Sequence, residues 1–183
     1  MRPPTTITGD RSELAAVFAD EAAFRAWYEE ILPKVYGYLF HRCGRNPELA
    51  EELTQQAFVG AVRSRDRFRG QADATTWVIG IARHKLVDHF RRTERDTRRL
   101  TALSARELGH SGPAGSRSTA PDDIDDALAD MPALQRAVLV LHYMDQLSVR
   151  EVARSIGKSE AATASLLARG RDAFRRAYQG TDR

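Results

Sequence analysis

Residues 147–174 read LSVREVARSIGKSEAATASLLARGRDAF, and they hold two helix starts separated by one turn. Ser148 and Glu151 form an S-x-x-E capping box, in which the hydroxyl and the carboxylate each satisfy a backbone amide left open at the start of a helix. Val149, Val152, Ala153 and Ile156 then recur at helical spacing toward a core, and Gly157 supplies the turn. Ser159 suits the cap of a second helix, whose Thr163, Leu167, Gly170 and Phe174 fall on one stripe for burial. That leaves Ala161, Ala164, Ser165, Ala168, Arg169 and Arg171 for a major groove, with Arg150 and Arg154 at the edges. The pattern is that of a helix-turn-helix. An ordinary helical hairpin with a solvated outer face would show the same caps and turn.

Upstream, Asp130-Met131-Pro132 marks another helix start, followed by Leu134, Ala137, Val138 and Leu141 at amphipathic spacing. Asp122, Asp123, Asp125 and Asp126 open a further helix before it. Residues 101–121 lose the periodic apolar residues to glycine, serine and proline, so they read as a flexible, disordered linker. Before the linker, Phe24, Trp27, Tyr28, Ile31, Val35, Tyr38 and Leu39 define a helix over 21–42, with Pro33 placed to kink it. Asn46 and Pro47 start a second helix that runs to about Arg65, and a third starts near Thr75 and continues into Arg91, Arg92, Arg95, Arg98 and Arg99. No sustained period-two alternation occurs, so the fold class is all-α, with two small helical domains joined by a linker. The expected division is a tail over 1–20, a module over 21–100, the linker over 101–121 and a module over 122–183.

Composition narrows the function classes. The 183 residues are 42% hydrophobic, enough for buried cores, and carry a formal net charge of +3. Lysine occurs only at Lys34, Lys85 and Lys158, so the positive charge is almost all arginine, whose planar fork suits phosphate and guanine. A GC-rich genome would produce the same bias. Cys43 is the single cysteine, which leaves no intramolecular disulfide and no cysteine-based zinc site, consistent with a reducing cytoplasm. The first twenty residues break any secretory apolar run with two prolines, Asp10, Arg11 and Glu13, and no run reaches the about eighteen apolar residues of a membrane span. The chain is therefore expected to be soluble and cytoplasmic, without membrane insertion.

Two surfaces of the N-terminal module stand out. Glu51, Glu52, Gln55 and Gln56 fall within two turns of one helix, and with Leu53 and Phe58 they can form a patch for a partner helix; a solvated helix face is the plainer reading. Trp77, Arg83, Lys85, Arg91 and Arg92 combine an aromatic platform with cations, the composition that holds single-stranded DNA; a core tryptophan is the alternative for Trp77.

With both modules in view, the sequence resembles the extracytoplasmic-function group of the sigma-70 family over roughly residues 24–92 and 127–178. The run AEELTQQAFVGAVRSRDRFRG, Ala50 to Gly70, is similar to the family's core-binding helix. TTWVIGIARHKLVDHFRR, Thr75 to Arg92, is similar to its minus-ten helix, and ALADMPALQRAVLVLHYMDQLSVREVARSIGKS to its second domain. The resemblance implies a sigma factor that recruits RNA polymerase core enzyme to promoters and is not itself an enzyme, with no cofactor and no metal. It implies that Glu51, Glu52, Leu53, Gln55, Gln56 and Phe58 bind the polymerase clamp coiled coil. The minus-ten element would meet Phe68, Arg69, Trp77, Arg83, His84, Lys85, Asp88, Arg91 and Arg92, with base capture in the loop from Phe68 to Ala74. The minus-thirty-five element would meet Arg150, Ser159, Ala161, Ala164, Ser165, Ala168, Arg169 and Arg171. Promoter DNA, core enzyme and an anti-sigma factor are the implied partners.

The departures are as informative as the matches. His84 stands where the family usually has asparagine, so the minus-ten preference is expected to differ. Ala162, Thr163, Ala164, Leu166 and Ala168 replace the family's common Thr, Val, Lys, Arg and His, and Leu166 is expected to be exposed. Three rivals compete. A stand-alone helix-turn-helix regulator leaves the pattern from Ala50 to Arg92 unexplained. A metal-dependent hydrolase built on His84, Asp88 and His89 lacks a matching second helix. A protein that titrates core enzyme without initiating transcription would not need the basic helix.

Overall fold

The computed structural model describes residues 11–107, 124–129 and 131–179, and every regular element among them is helical. The helices are α1 (Arg11–Ala19), α2 (Glu21–Arg42), α3 (Pro47–Ser64), α4 (Ala74–Glu107), α5 (Ile124–Ala129), α6 (Ala133–Leu139), α7 (Val149–Ile156) and α8 (Glu160–Gln179). A 3₁₀ turn, Arg65–Arg67, follows α3, and a π turn, Val140–Met144, follows α6. Packing divides the chain into two compact units, residues 1–86 and 87–183, so the division falls inside α4.

The first unit is built on α2. Asp20 caps it by accepting the Ala23 amide at 2.7 Å, and helical backbone continues through Pro33 to Arg42. Trp27, Ile31, Val35 and Leu39 recur every four residues and are buried. They face Ala50, Leu53, Ala57, Phe58 and Ala61 of α3, which starts where Asn46 accepts the Leu49 amide at 2.9 Å. Val78, Ala82 and Leu86 complete the core from α4. Each of the larger aliphatic and aromatic side chains contributes about 1.5–3 kcal/mol by leaving water, and each alanine less.

Two boundaries differ from the sequence reading. The tail expected over 1–20 contains α1, because Leu14 and Val17 are buried one turn apart and Phe18 meets the rings of Phe24 and Trp27, each at a 5.4 Å centroid distance. The linker expected from residue 101 begins as helix, since α4 runs to Glu107; Leu100 and Leu103 are exposed on that extension. Residues 108–121, the rest of the expected linker, lie outside the described residues.

In the second unit α6 buries Ala133, Leu134, Ala137, Val138 and Leu139, and the π turn adds Val140 and Leu141. The capping box of α7 is complete: the Glu151 amide donates to Ser148 Oγ, and the Ser148 amide to Glu151 Oε2 at 2.9 Å. Gly157 ends α7 at φ +64°, a left-handed conformation that only glycine adopts without strain. α8 lies so close to α6 that a Cβ on Gly170 would stand 3.2 Å from Leu139 Cγ and 3.3 Å from the Gln135 carbonyl oxygen.

Candidate nucleic-acid interface

On α3 the structure separates the six residues expected to meet core polymerase. Glu51, Glu52 and Gln55 are exposed, and Gln56 is half-buried and donates to Glu52 Oε1 at 2.9 Å. Leu53 is 0% exposed and Phe58 is 6% exposed, which corrects their assignment as partner contacts. Phe58 packs edge-on to Trp27 at 6.0 Å and against Tyr28 at 4.6 Å, because it lies on the α3 face that must cover α2. The apolar share of the outer surface comes from α2 instead. Tyr28, Leu32, Pro33 and Tyr36 line a groove of about 420 Å³ with Glu51, Thr54 and Gln55 of α3. Tyr28, Leu32 and Tyr36 recur at i, i+4 and i+8, a row that apolar spacing alone does not separate from the buried stripe of α2.

The segment between α3 and α4 is braced rather than open. Phe68 is 2% exposed and its ring lies 5.1 Å from that of Trp77, so Phe68 is a core residue and not a DNA contact. Arg69 is exposed beside it. Asp73 caps α4: the Thr76 amide donates to Oδ1 at 2.9 Å and the Thr76 hydroxyl to Oδ2 at 2.6 Å. The Thr76 hydroxyl, and after it the Thr76 amide, hold the Asp73 carboxyl below the usual carboxylate range.

Along α4, Trp77, His84, Asp88 and Arg91 follow one another at intervals of seven, four and three residues and so share one face, flanked by Arg92. Trp77 is half-buried and the other four are exposed. Arg91 Nη1 lies 4.0 Å from Asp88 Oδ1, and Arg92 Nε donates to the Asp88 carbonyl at 3.4 Å. His84 Nδ1 lies 2.7 Å from the Gly80 carbonyl oxygen, which can only accept, so Nδ1 carries the proton and Nε2 of the neutral ring is an acceptor. Lys85 and Arg83 are half-buried and lie off this face. Among the described residues no three His, Cys, Asp or Glu side chains converge as a metal site would require.

In α8 the division of faces follows the expectation only in its first turns, since Phe174, expected on the buried stripe, is half-buried. Thr163 is buried and donates to the Ser159 carbonyl at 2.9 Å, while Ala161, Ala164, Ser165, Ala168 and Arg169 are exposed. Ser159 caps the helix by accepting the Ala162 amide at 3.2 Å. Leu166 departs from the expectation: at 8% exposure it is in the core beside Leu167, because the buried stripe is wider than a single row. Arg150 is exposed, and its Nε donates to Glu160 Oε1 at 3.1 Å. Arg171 lines a second groove, about 640 Å³, together with Ile124, Leu128, Tyr143, Met144, Phe174 and Tyr178. This apolar surface was not foreseen, since the π turn that points Tyr143 and Met144 outward leaves no mark in apolar periodicity.

Family profiles match these parts in order: Sigma-70 region 2 over residues 27–96 and Sigma-70, region 4 over residues 122–174. The chain is 33% identical over 151 residues to the ECF RNA polymerase sigma factor BldN of Streptomyces coelicolor, covering 79% of this chain and 56% of that relative. It is 30% identical over 127 residues to the ECF RNA polymerase sigma factor SigC of Mycobacterium tuberculosis, covering 68% of each. The fold is similar to that of the sigma factor RpoE in its complex with the anti-sigma factor NepR from Bartonella quintana, with a TM-score of 0.52 and 19% identity over 85% of this chain and 96% of that one. Among the described residues no helix is long and apolar enough to cross a membrane. With region 2 matched on the helices that carry the aromatic and cationic face, and region 4 on the helix-turn-helix, the chain belongs to the extracytoplasmic-function group of the sigma-70 family of RNA polymerase sigma factors.

Proposed function

We propose that this chain is a cytoplasmic transcription initiation factor that brings RNA polymerase core enzyme to promoters and performs no catalysis of its own. In this reading residues 21–100 form the module for core enzyme and the minus-ten element, and residues 122–183 the module for the minus-thirty-five element. Glu51, Glu52, Gln55 and Gln56, with Tyr28, Leu32 and Tyr36 of α2, form the polymerase-facing surface. Trp77 and His84 meet unpaired bases, while Arg69, Arg91 and Arg92 hold phosphates. Arg83, Lys85 and Asp88 flank that surface.

The observation that carries the reading is the face of α4 on which Trp77, His84, Asp88 and Arg91 align; a partly apolar groove between α2 and α3 adds a second surface. A stand-alone helix-turn-helix regulator needs neither. The partner list extends to an anti-sigma factor, because the groove behind α8 is apolar and Arg171 and Arg175 line it, which suits an acidic amphipathic helix. The fold is also similar to that of a sigma factor solved in complex with an anti-sigma factor.

The test is transcription from defined promoters by purified core enzyme with and without the chain. Promoter-dependent transcripts that appear only with the chain are expected. Nanomolar, sequence-specific DNA binding without core enzyme, and no such transcripts, would replace this reading with the stand-alone regulator.

A further inference from the structure

The outward face of α8 begins with a charge that the general description of a basic DNA reader does not accommodate. Over its first turns this face presents Glu160, Ala161, Ala164, Ser165 and Ala168, all exposed, so Glu160 is its only charged group before Arg169. A carboxylate beside a phosphodiester backbone is repelled unless a cation accompanies it. Arg150 of α7 supplies that cation, with Nε donating to Glu160 Oε1 at 3.1 Å across ten residues of sequence. The same concavity holds Arg154 and Lys158, giving three cations to one carboxylate, with Ala153 and Ser159 completing its lining.

Both members of the pair are largely exposed, with side-chain accessibilities of 76% and 58%. An ion pair in that setting contributes little to folding, so bracing the two helices is a weak reason for it. Its orientation serves recognition better. An ionised carboxylate only accepts hydrogen bonds, and in the major groove cytosine presents an amino donor at N4, whereas guanine presents two acceptors. The first residues of a recognition helix are the ones that reach base edges. Alanines at 161, 164 and 168 let the helix approach closely enough for a short acidic side chain to arrive.

We infer that Glu160 is a specificity-determining residue that accepts a hydrogen bond from a cytosine amino group in the minus-thirty-five element, and that Arg150 is the positioning residue that aims it. Arg150 spends one of its five N–H donors on Glu160, and the rest, with Arg154 and Lys158, face the adjoining phosphates. The inference rests on the sigma-factor reading of α7 and α8.

The experiment is transcription by core enzyme and the full chain from a promoter library randomised across the minus-thirty-five element. Thermal unfolding of each variant serves as a control for folding. The unmodified chain should favour cytosine at one position by about 5- to 150-fold. Glu160→Ala should flatten that position alone, and Glu160→Gln should move it toward adenine, which offers an amide both a donor and an acceptor. Arg150→Ala should weaken the same preference and also reduce salt dependence, while Arg150→Lys should restore the salt dependence more than the preference. An unchanged profile in Glu160→Ala would overturn the inference while leaving the sigma-factor reading intact, and so would a loss spread evenly over all positions. Failure of the unmodified chain to direct promoter-dependent transcription would overturn both.

Discussion

The Asp73 carboxylate shows how a single side chain can tie α4 to pH. Its pKa is lowered in the folded chain, so the stabilisation it provides is present above the ordinary value of 3.8 and is lost as pH falls through the folded value. Asp73→Ala should cost about 1 kcal/mol at pH 7, the usual worth of a cap, and the gap from the unmodified chain should narrow at pH 3. Denaturant titration at the two pH values measures both. At Leu53, Phe58 and Phe68 the expected defect is structural: alanine at any one should cost about 2–5 kcal/mol, because each leaves a cavity in the first unit. The double variant Glu52→Arg, Gln55→Ala should instead leave the unfolding midpoint nearly unchanged and weaken core-enzyme binding more than about threefold, or about 0.7 kcal/mol. Equal stability losses in both sets would contradict the division of α3 into an inner and an outer face. In α8 the same logic makes Leu166→Arg a folding defect, since it would place a charge in a buried row.

Among the elements, α1 tests how the first unit is closed. It covers Trp27 through Phe18, and Trp27 is 2% exposed. Removing residues 1–19 in a Trp77→Phe background should red-shift Trp27 emission and lower the unfolding midpoint; an unchanged spectrum would show that α1 is not docked. Elements with strong local punctuation were legible beforehand. Asp20, Asn46 and Ser148 each cap a helix with an observed side-chain bond, and α2 keeps the bounds that its apolar spacing indicated. The misses share a cause. Leu14, Val17 and Phe18 make too short a pattern to separate from a tail, and the arginine-rich end of α4 carries no core-facing period to show that the helix continues to Glu107. Which aromatics face outward was likewise hidden, since Phe58 is buried against Trp27 and Tyr28 of another helix and Phe68, outside any helix, belongs to no periodic pattern.

For the whole molecule, the proposed activity should carry the signature of phosphate neutralisation. Replacing Arg91 and Arg92 with alanine should lower the slope of log affinity against log salt by about 1.4 if both contact single-stranded phosphates, and should weaken open complexes to a similar degree across promoters. Open-complex formation with core enzyme, measured over a range of salt, decides this; an unchanged slope would remove both residues from the DNA surface. The exposed alanines of α8 matter at this scale too. Ala161, Ala164 and Ala168 support no part of the core, so a new side chain there meets solvent or DNA and leaves the fold untouched. Mutation can therefore try new base contacts one at a time without passing through an unfolded intermediate in sequence space, and copies of such a gene can diverge in promoter choice while their polymerase-facing half stays the same.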